Sequence, residues 1–156
     1  MIRSIALAAA FAILAYPFSA AADSQPGASQ RASAPTKNPQ IDYGGFLELC
    51  LEVQPYREER RVDEAAFLAL AKKSGTIILD TRSKWAYDDL HIKDAVHLNF
   101  SDFTTKSLEE ALGDKSTRVW IYCNNNFKPT TRSLATKMAP TALNIPTFVA
   151  LYGYGY

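Results

Sequence analysis

The sequence predicts a three-layer α/β domain with a mainly parallel central sheet flanked by helices. Three observations predict it. Short runs rich in β-branched and apolar residues recur at Thr76–Asp80, Ala95–Leu98 and Arg118–Tyr122. Helix-start signals stand between and before them, at Asp63, Ser83 and Ser107. Strands that alternate with helices in this way build parallel sheets covered on both faces.

Residues 1–22 have the layout of a signal peptide. Arg3 gives a positive start, Ile5–Tyr16 is apolar without a charge, and Ala20-Ala21-Ala22 supplies small residues for cleavage. The apolar run is short for a membrane span, which ranks an uncleaved anchor second. No cysteine near the cleavage site provides for a lipid anchor. Residues 23–40, rich in Ser, Pro, Ala, Gln and Gly, read as a disordered, solvated linker. The folded domain spans 41–156, a size that suits one core. The expectation is a periplasmic or secreted protein, free of the membrane after signal removal. Formal net charge is +1 with no basic stripe, so nucleic-acid binding has no electrostatic footprint.

Within the domain, Phe46, Leu47, Leu49, Cys50 and Val53 line one face of a first helix, and Arg57–Arg61 is a solvated charge run. Asp63 caps a second helix, with Val62 packing on Phe67 as a staple and Gly75 ending the element. Thr76–Asp80 is the first strand. Ser83 caps a helix carrying Ala86, Tyr87 and Leu90 on one side, and Ala95–Leu98 is the second strand. Ser107-Leu108-Glu109-Glu110 matches a capping box, and Gly113 closes that helix. Arg118–Tyr122 is the third strand, followed by a helix over about residues 131–139. Ala142–Leu151 reads as core with Pro146 opening a helical turn, and Phe148, Tyr152, Tyr154 and Tyr156 read as packing.

Cys123 follows the third strand directly and precedes the polar stretch Asn124–Pro129. In open α/β sheets, ligands bind beyond the carboxyl ends of the strands, so a thiol there is placed for chemistry. Cys50 reads as a small buried hydrophobe. Two cysteines make neither a disulfide framework nor a metal site, although an oxidising compartment allows a Cys50–Cys123 bond. His91 and His97 lack a partner set for a metal and read as hydrogen-bonding structural residues. No metal or other cofactor is expected.

The ordered motifs Leu79-Asp80-Thr81-Arg82, Tyr87, His91–Leu98 and Tyr122-Cys123 resemble the rhodanese-like (sulfurtransferase) domain family. That family shows a D-x-R strand end, a Tyr, an H-I-x-G-A-x-x-L run and a Y-C strand end that holds its catalytic cysteine. The resemblance spans about residues 62–156. It implies a small sulfur donor such as thiosulfate, a persulfide on Cys123 and a thiophilic acceptor. It also implies a substrate-binding loop of Asn124, Asn125, Asn126, Phe127, Lys128 and Arg132, with Asp80 and Arg82 as a supporting ion pair. A free thiol of pKa about 8.5 needs a cation or a helix N-terminus to become a thiolate. The helix expected after the loop, with Lys128 and Arg132, would supply both. The three asparagines tolerate the left-handed angles that a cradle of inward N–H groups requires.

Three features depart from the family pattern. Asn126 stands where a loop Gly is common, the first arginine after Cys123 is Arg132, and Pro129 lacks an N–H donor. Asp94 replaces a turn Gly, a mild change because Asp tolerates turns. The sequence stops at Leu151–Tyr156, short of the family's last strand, and a truncated C-terminus is expected, since an uncovered edge invites aggregation. Two other functions compete. One is a catalytically inactive rhodanese-like module that presents its loop to a protein partner. The other is phosphatase or arsenate-reductase chemistry on a C-x5-R loop, which Pro129 at the arginine position disfavours.

Overall fold

The three β-branched runs pair as parallel strands, with β1 (Thr76–Asp80) between β2 (Val96–His97) and β3 (Arg118–Tyr122). Thr76 lies level with Arg118 and Asp80 with Tyr122, so β1 and β3 end together. Asp80 is also level with His97. Side chains alternate along each strand. Ile77, Leu79, Val119 and Ile121 turn to one face, where Leu79, Leu108, Leu112 and Leu151 form the buried core. Helices α4 (Thr105–Leu112) and α5 (Asn144–Gly153) supply the last three of those leucines. On the other face Trp120 meets Phe67 of α2 (Glu64–Ala71) edge-on, with ring centroids 6.0 Å apart. The three layers of the α/β fold follow from this alternation.

The computed structural model describes residues 38–156, so the signal peptide and nearly all of the linker expected from the sequence lie outside the described residues. Pro39–Tyr156 is one compact unit. No helix among the described residues is long and apolar enough to cross a membrane.

Local chemistry sets most helix starts. The Asp63 carboxylate accepts the Ala66 N–H at 2.8 Å, and Ser83 Oγ accepts the Ala86 N–H at 3.3 Å to open α3 (Lys84–Asp89). Asp94 adopts φ +64°, the left-handed conformation that its turn requires. Helix α4 starts upstream of the Ser107 expected from the sequence. Thr104 is the cap: Thr104 Oγ1 accepts the Ser107 N–H at 3.1 Å, and Ser107 Oγ accepts the Thr104 N–H at 2.9 Å. The reciprocal pair was one turn earlier than the Ser-x-x-Glu pattern because Ser107 serves as well as Glu at the third position.

The helix expected over residues 131–139 does not form. Only 3-10 turns occur there, at Arg132–Leu134 and Ala139–Thr141. The carbonyls of Ala135 and Lys137 and the N–H of Lys137 are taken by the side chains of Asn124 and Asn125, and a helix would need those groups for itself.

Helix α1 (Tyr43–Glu59) is present but turns a different face inward. Val53 is its buried residue, Leu49 packs on Gly153, and Tyr56 meets Phe148 and Tyr152 at 6.1 and 5.2 Å. Phe46 and Leu47 are each 45% exposed, and Cys50 is half-buried rather than buried. The five apolar residues surround much of the helix, and α5 selects the stripe at positions 49, 53 and 56. A Cβ at Gly153 would stand 3.0 Å from Leu49, so glycine there permits the close contact.

Candidate functional site

The carboxyl end of β1 carries a buried charge cluster. Asp80, 0% exposed, accepts from Arg82 through its backbone N–H and Nε at 3.0 Å and through Nη2 at 2.6 Å. The Tyr122 hydroxyl also donates to Asp80 Oδ2 and accepts the Ile92 N–H at 3.2 Å. Arg82 spends its remaining donors on the Leu90 carbonyl at 2.6 Å, the Ser133 carbonyl at 3.2 Å and Asn124 Oδ1 at 3.4 Å. One guanidinium thus joins the strand end, the end of α3, the Cys123 loop and the Arg132–Leu134 turn. Burial pushes the Asp80 carboxyl up, but the bonds from Arg82 and Tyr122 outweigh it and hold the group below its ordinary 3.8. Burial and then the Asp80 carboxylate raise the Tyr122 phenol above its ordinary 10.0.

Around this cluster, Tyr87 stacks on His91 at 3.9 Å and donates its hydroxyl to the Ala95 carbonyl at 2.8 Å. His91 Nδ1 donates to the Tyr87 carbonyl at 2.7 Å, and His97 Nε2 to the Arg82 carbonyl at 2.9 Å. Both histidines are therefore committed to holding turns. No group of His, Cys, Asp and Glu among the described residues could hold a metal ion.

Cys123 lies in the wall of a cleft of about 240 Å³ and is 1% exposed. Asn124, Asn125, Arg132, Lys137 and Trp85 line the same cleft, and no carboxylate does. Arg132 and Lys137 make no ion pair among the described residues. The guanidinium of Arg132 sits over the exposed Trp85 ring at 5.3 Å.

A model of the rhodanese-like domain matches residues 63–156, more than half of the chain. The chain belongs to the rhodanese-like family. No curated protein and no solved structure matches it. The rhodanese-like match begins at the Asp63 cap and takes in the Asp80–Arg82 cluster, the His91–Leu98 turn and Cys123; α1 precedes it.

Within this rhodanese-like domain the loop residues separate into groups. Asn124, Asn125 and Arg132 line the cleft with Cys123. Asn126 does not: its Oδ1 accepts the Cys123 N–H at 2.9 Å and fixes the start of the loop. Phe127 meets the Tyr122 ring edge-on at 5.6 Å and faces a second cleft of about 170 Å³ beside Leu90 and Ile92. Lys128 is exposed and outside the Cys123 cleft.

The basis expected for thiolate formation is also corrected. Cys123 precedes a 3-10 turn, Asn124–Asn126, and the helix expected over residues 131–139 is absent, so the dipole expected from that helix does not act on it. None of the three asparagines is left-handed, because Asp94 is the non-glycine residue with positive φ among the described residues. Their side chains crosslink the loop instead. The cations at the cleft that make no ion pair among the described residues are Arg132 and Lys137, since Arg82 is paired with Asp80. Lys137 and Trp85 escaped the sequence reading, since their approach to Cys123 depends on bonds between distant segments. The run of three asparagines was the only trace of those bonds.

Proposed function

We propose that this rhodanese-like protein is an exported sulfurtransferase that carries sulfane sulfur on Cys123. The observation behind this reading is the cleft itself, a strand-end thiol beside two unpaired cations with no carboxylate to repel an anionic donor. Cys123 as thiolate attacks the outer sulfur of a donor such as thiosulfate. The new S–S bond forms as the donor's S–S bond breaks, and sulfite leaves with the bonding electron pair. A thiophilic acceptor then attacks the outer persulfide sulfur and restores the Cys123 thiolate. Incubation with thiosulfate should add one sulfur atom to the intact protein, and Cys123→Ser should abolish the gain. A wild-type mass unchanged by thiosulfate would end the reading for that donor.

The layout of residues 1–22 supports export to the periplasm or beyond. Expressed in a bacterium, the mature protein should begin at Asp23 outside the cytoplasm. Recovery of a cytoplasmic chain that starts at Met1 would contradict it.

One observation favours a second reading, a catalytically inactive module that binds a protein partner. Cys123 is almost fully buried, and its loop is tied to itself by asparagine side chains. Such a module would hold its partner equally well as Cys123→Ser and would gain no sulfur.

A further inference from the structure

We infer that α1 is a self-association surface, which pairs antiparallel with α1 of a second copy of this chain through an apolar stripe that its own domain leaves uncovered. Helix α1 precedes the residues that match the rhodanese-like model. Its inward side presents Leu49, Val53 and Tyr56, with Leu49 and Tyr56 against α5. Side chains four apart in a helix lie one above the other, so Tyr43, Leu47 and Leu51 form a second stripe beside the first. Tyr43 and Leu51 are each 71% exposed, and Leu47 and the adjoining Phe46 remain half-exposed. Ile41, just ahead of the helix, is exposed as well. Single apolar residues are ordinary on a surface, but this many on one stretch of helix form a patch that marks an interaction site.

The sequence ahead of α1 does not supply a cover. Residues 23–37 contain no apolar side chain larger than alanine or proline. The apolar run Ile5–Tyr16 is removed on the export reading, and the inference rests on that reading in this respect. The charges of α1 fit a second copy. Asp42, Glu48 and Glu52 stand without a cation between residues 38 and 56, whereas Arg57, Arg60 and Arg61 outnumber Glu58 and Glu59 at the other end. An antiparallel pair sets each acidic end beside the partner's arginines and opposes the two helix dipoles, while a parallel pair would align like charges. With Leu51 at the two-fold axis, Leu47 lies beside Gln54 of the second copy, and the Tyr43 hydroxyl reaches its Glu58 carboxylate. Cys50, half-buried and free, then sits close to the axis. One helix pair is a small interface, so the association is weak and depends on concentration.

Sedimentation equilibrium on the mature protein, from about 1 to 200 µM, should show a reversible monomer–dimer equilibrium. Leu51→Glu should raise the dissociation constant at least about thirtyfold, because the axis places the new carboxylate against its own copy. The far-UV circular dichroism of that variant should match the wild type, since Leu51 is mostly exposed. Leu68→Glu, at an exposed leucine on α2, should leave the equilibrium unchanged. Equal weakening by Leu68→Glu would mean unspecific apolar association and would overturn the pairing. So would a monomer at every concentration, or a monomer that binds phosphatidylcholine vesicles through Leu51.

Cross-linking tests the direction. In Cys123→Ser, a short bis-maleimide should join two copies through Cys50. With Cys50→Ser added and the thiol moved by Gly44→Cys, the two sulfurs stand about 21 Å apart in an antiparallel pair and should not join. Cross-linking at position 44 overturns the antiparallel arrangement. Intact mass of the exported chain reports leader removal separately, so failure of the export reading and failure of the pairing are told apart.

Discussion

At the scale of single residues, Asp80 and Arg82 form a buried ion pair at the end of β1. Arg82 is 3% exposed and makes all of its guanidinium bonds to partners that are themselves fixed. Asp80→Asn would leave that cation buried without its counter-charge, which costs about 3–5 kcal/mol. Urea unfolding of the variant checks the value, and a loss under about 1 kcal/mol would contradict the role given to the pair. The same cluster sets the pH response. Asp80 is held below its ordinary 3.8, so its contribution is full above about that pH and is lost as acid protonates the folded carboxyl. Tyr122 is raised above its ordinary 10.0, so its contribution is full below about that pH and is lost as the pH climbs beyond it. Stability should therefore fall on both flanks, and denaturant midpoints across pH would reveal it. In Asp80→Asn the acid flank should flatten.

Elements are governed by shorter-range rules. The turn between α3 and β2 depends on Asp94 at φ +64°, which an ordinary side chain adopts at a cost of about 1–2 kcal/mol. Asp94→Val should lose that much in thermal or urea unfolding, and Asp94→Gly should stay within about 0.5 kcal/mol of the wild type. Equal losses in both variants would show that the Asp side chain, and not its backbone angle, matters. The segment after Cys123 illustrates the opposite case. Its sequence permits a helix, but the amides of Asn124 and Asn125 capture three of the backbone groups that the helix needs. Competition of that kind has no period, so hydrophobic patterning could not report it. In α1 the ambiguity was rotational: too many apolar residues encircle the helix, and only packing on α5 chose among them.

Across the whole molecule, the two thiols lie on separate elements and remain free, Cys50 half-buried on α1 and Cys123 buried at the strand end. Denatured without reductant, the protein should yield two alkylatable thiols. Under native conditions Cys50 should react ahead of Cys123. Recovery of no thiol would establish a disulfide in place of the free pair.

The sequence alone determined the three strands, the caps at Asp63 and Ser83 and the turn at Asp94. Each of these is written in contiguous residues, through alternation, a capping side chain or a tolerated backbone angle. Tertiary structure decided which face of α1 is inward, that no helix follows the loop, and that Lys137 joins Arg132 beside Cys123. Those outcomes depend on hydrogen bonds and ring contacts between distant segments, whose energies exist only once the chain has brought the partners together.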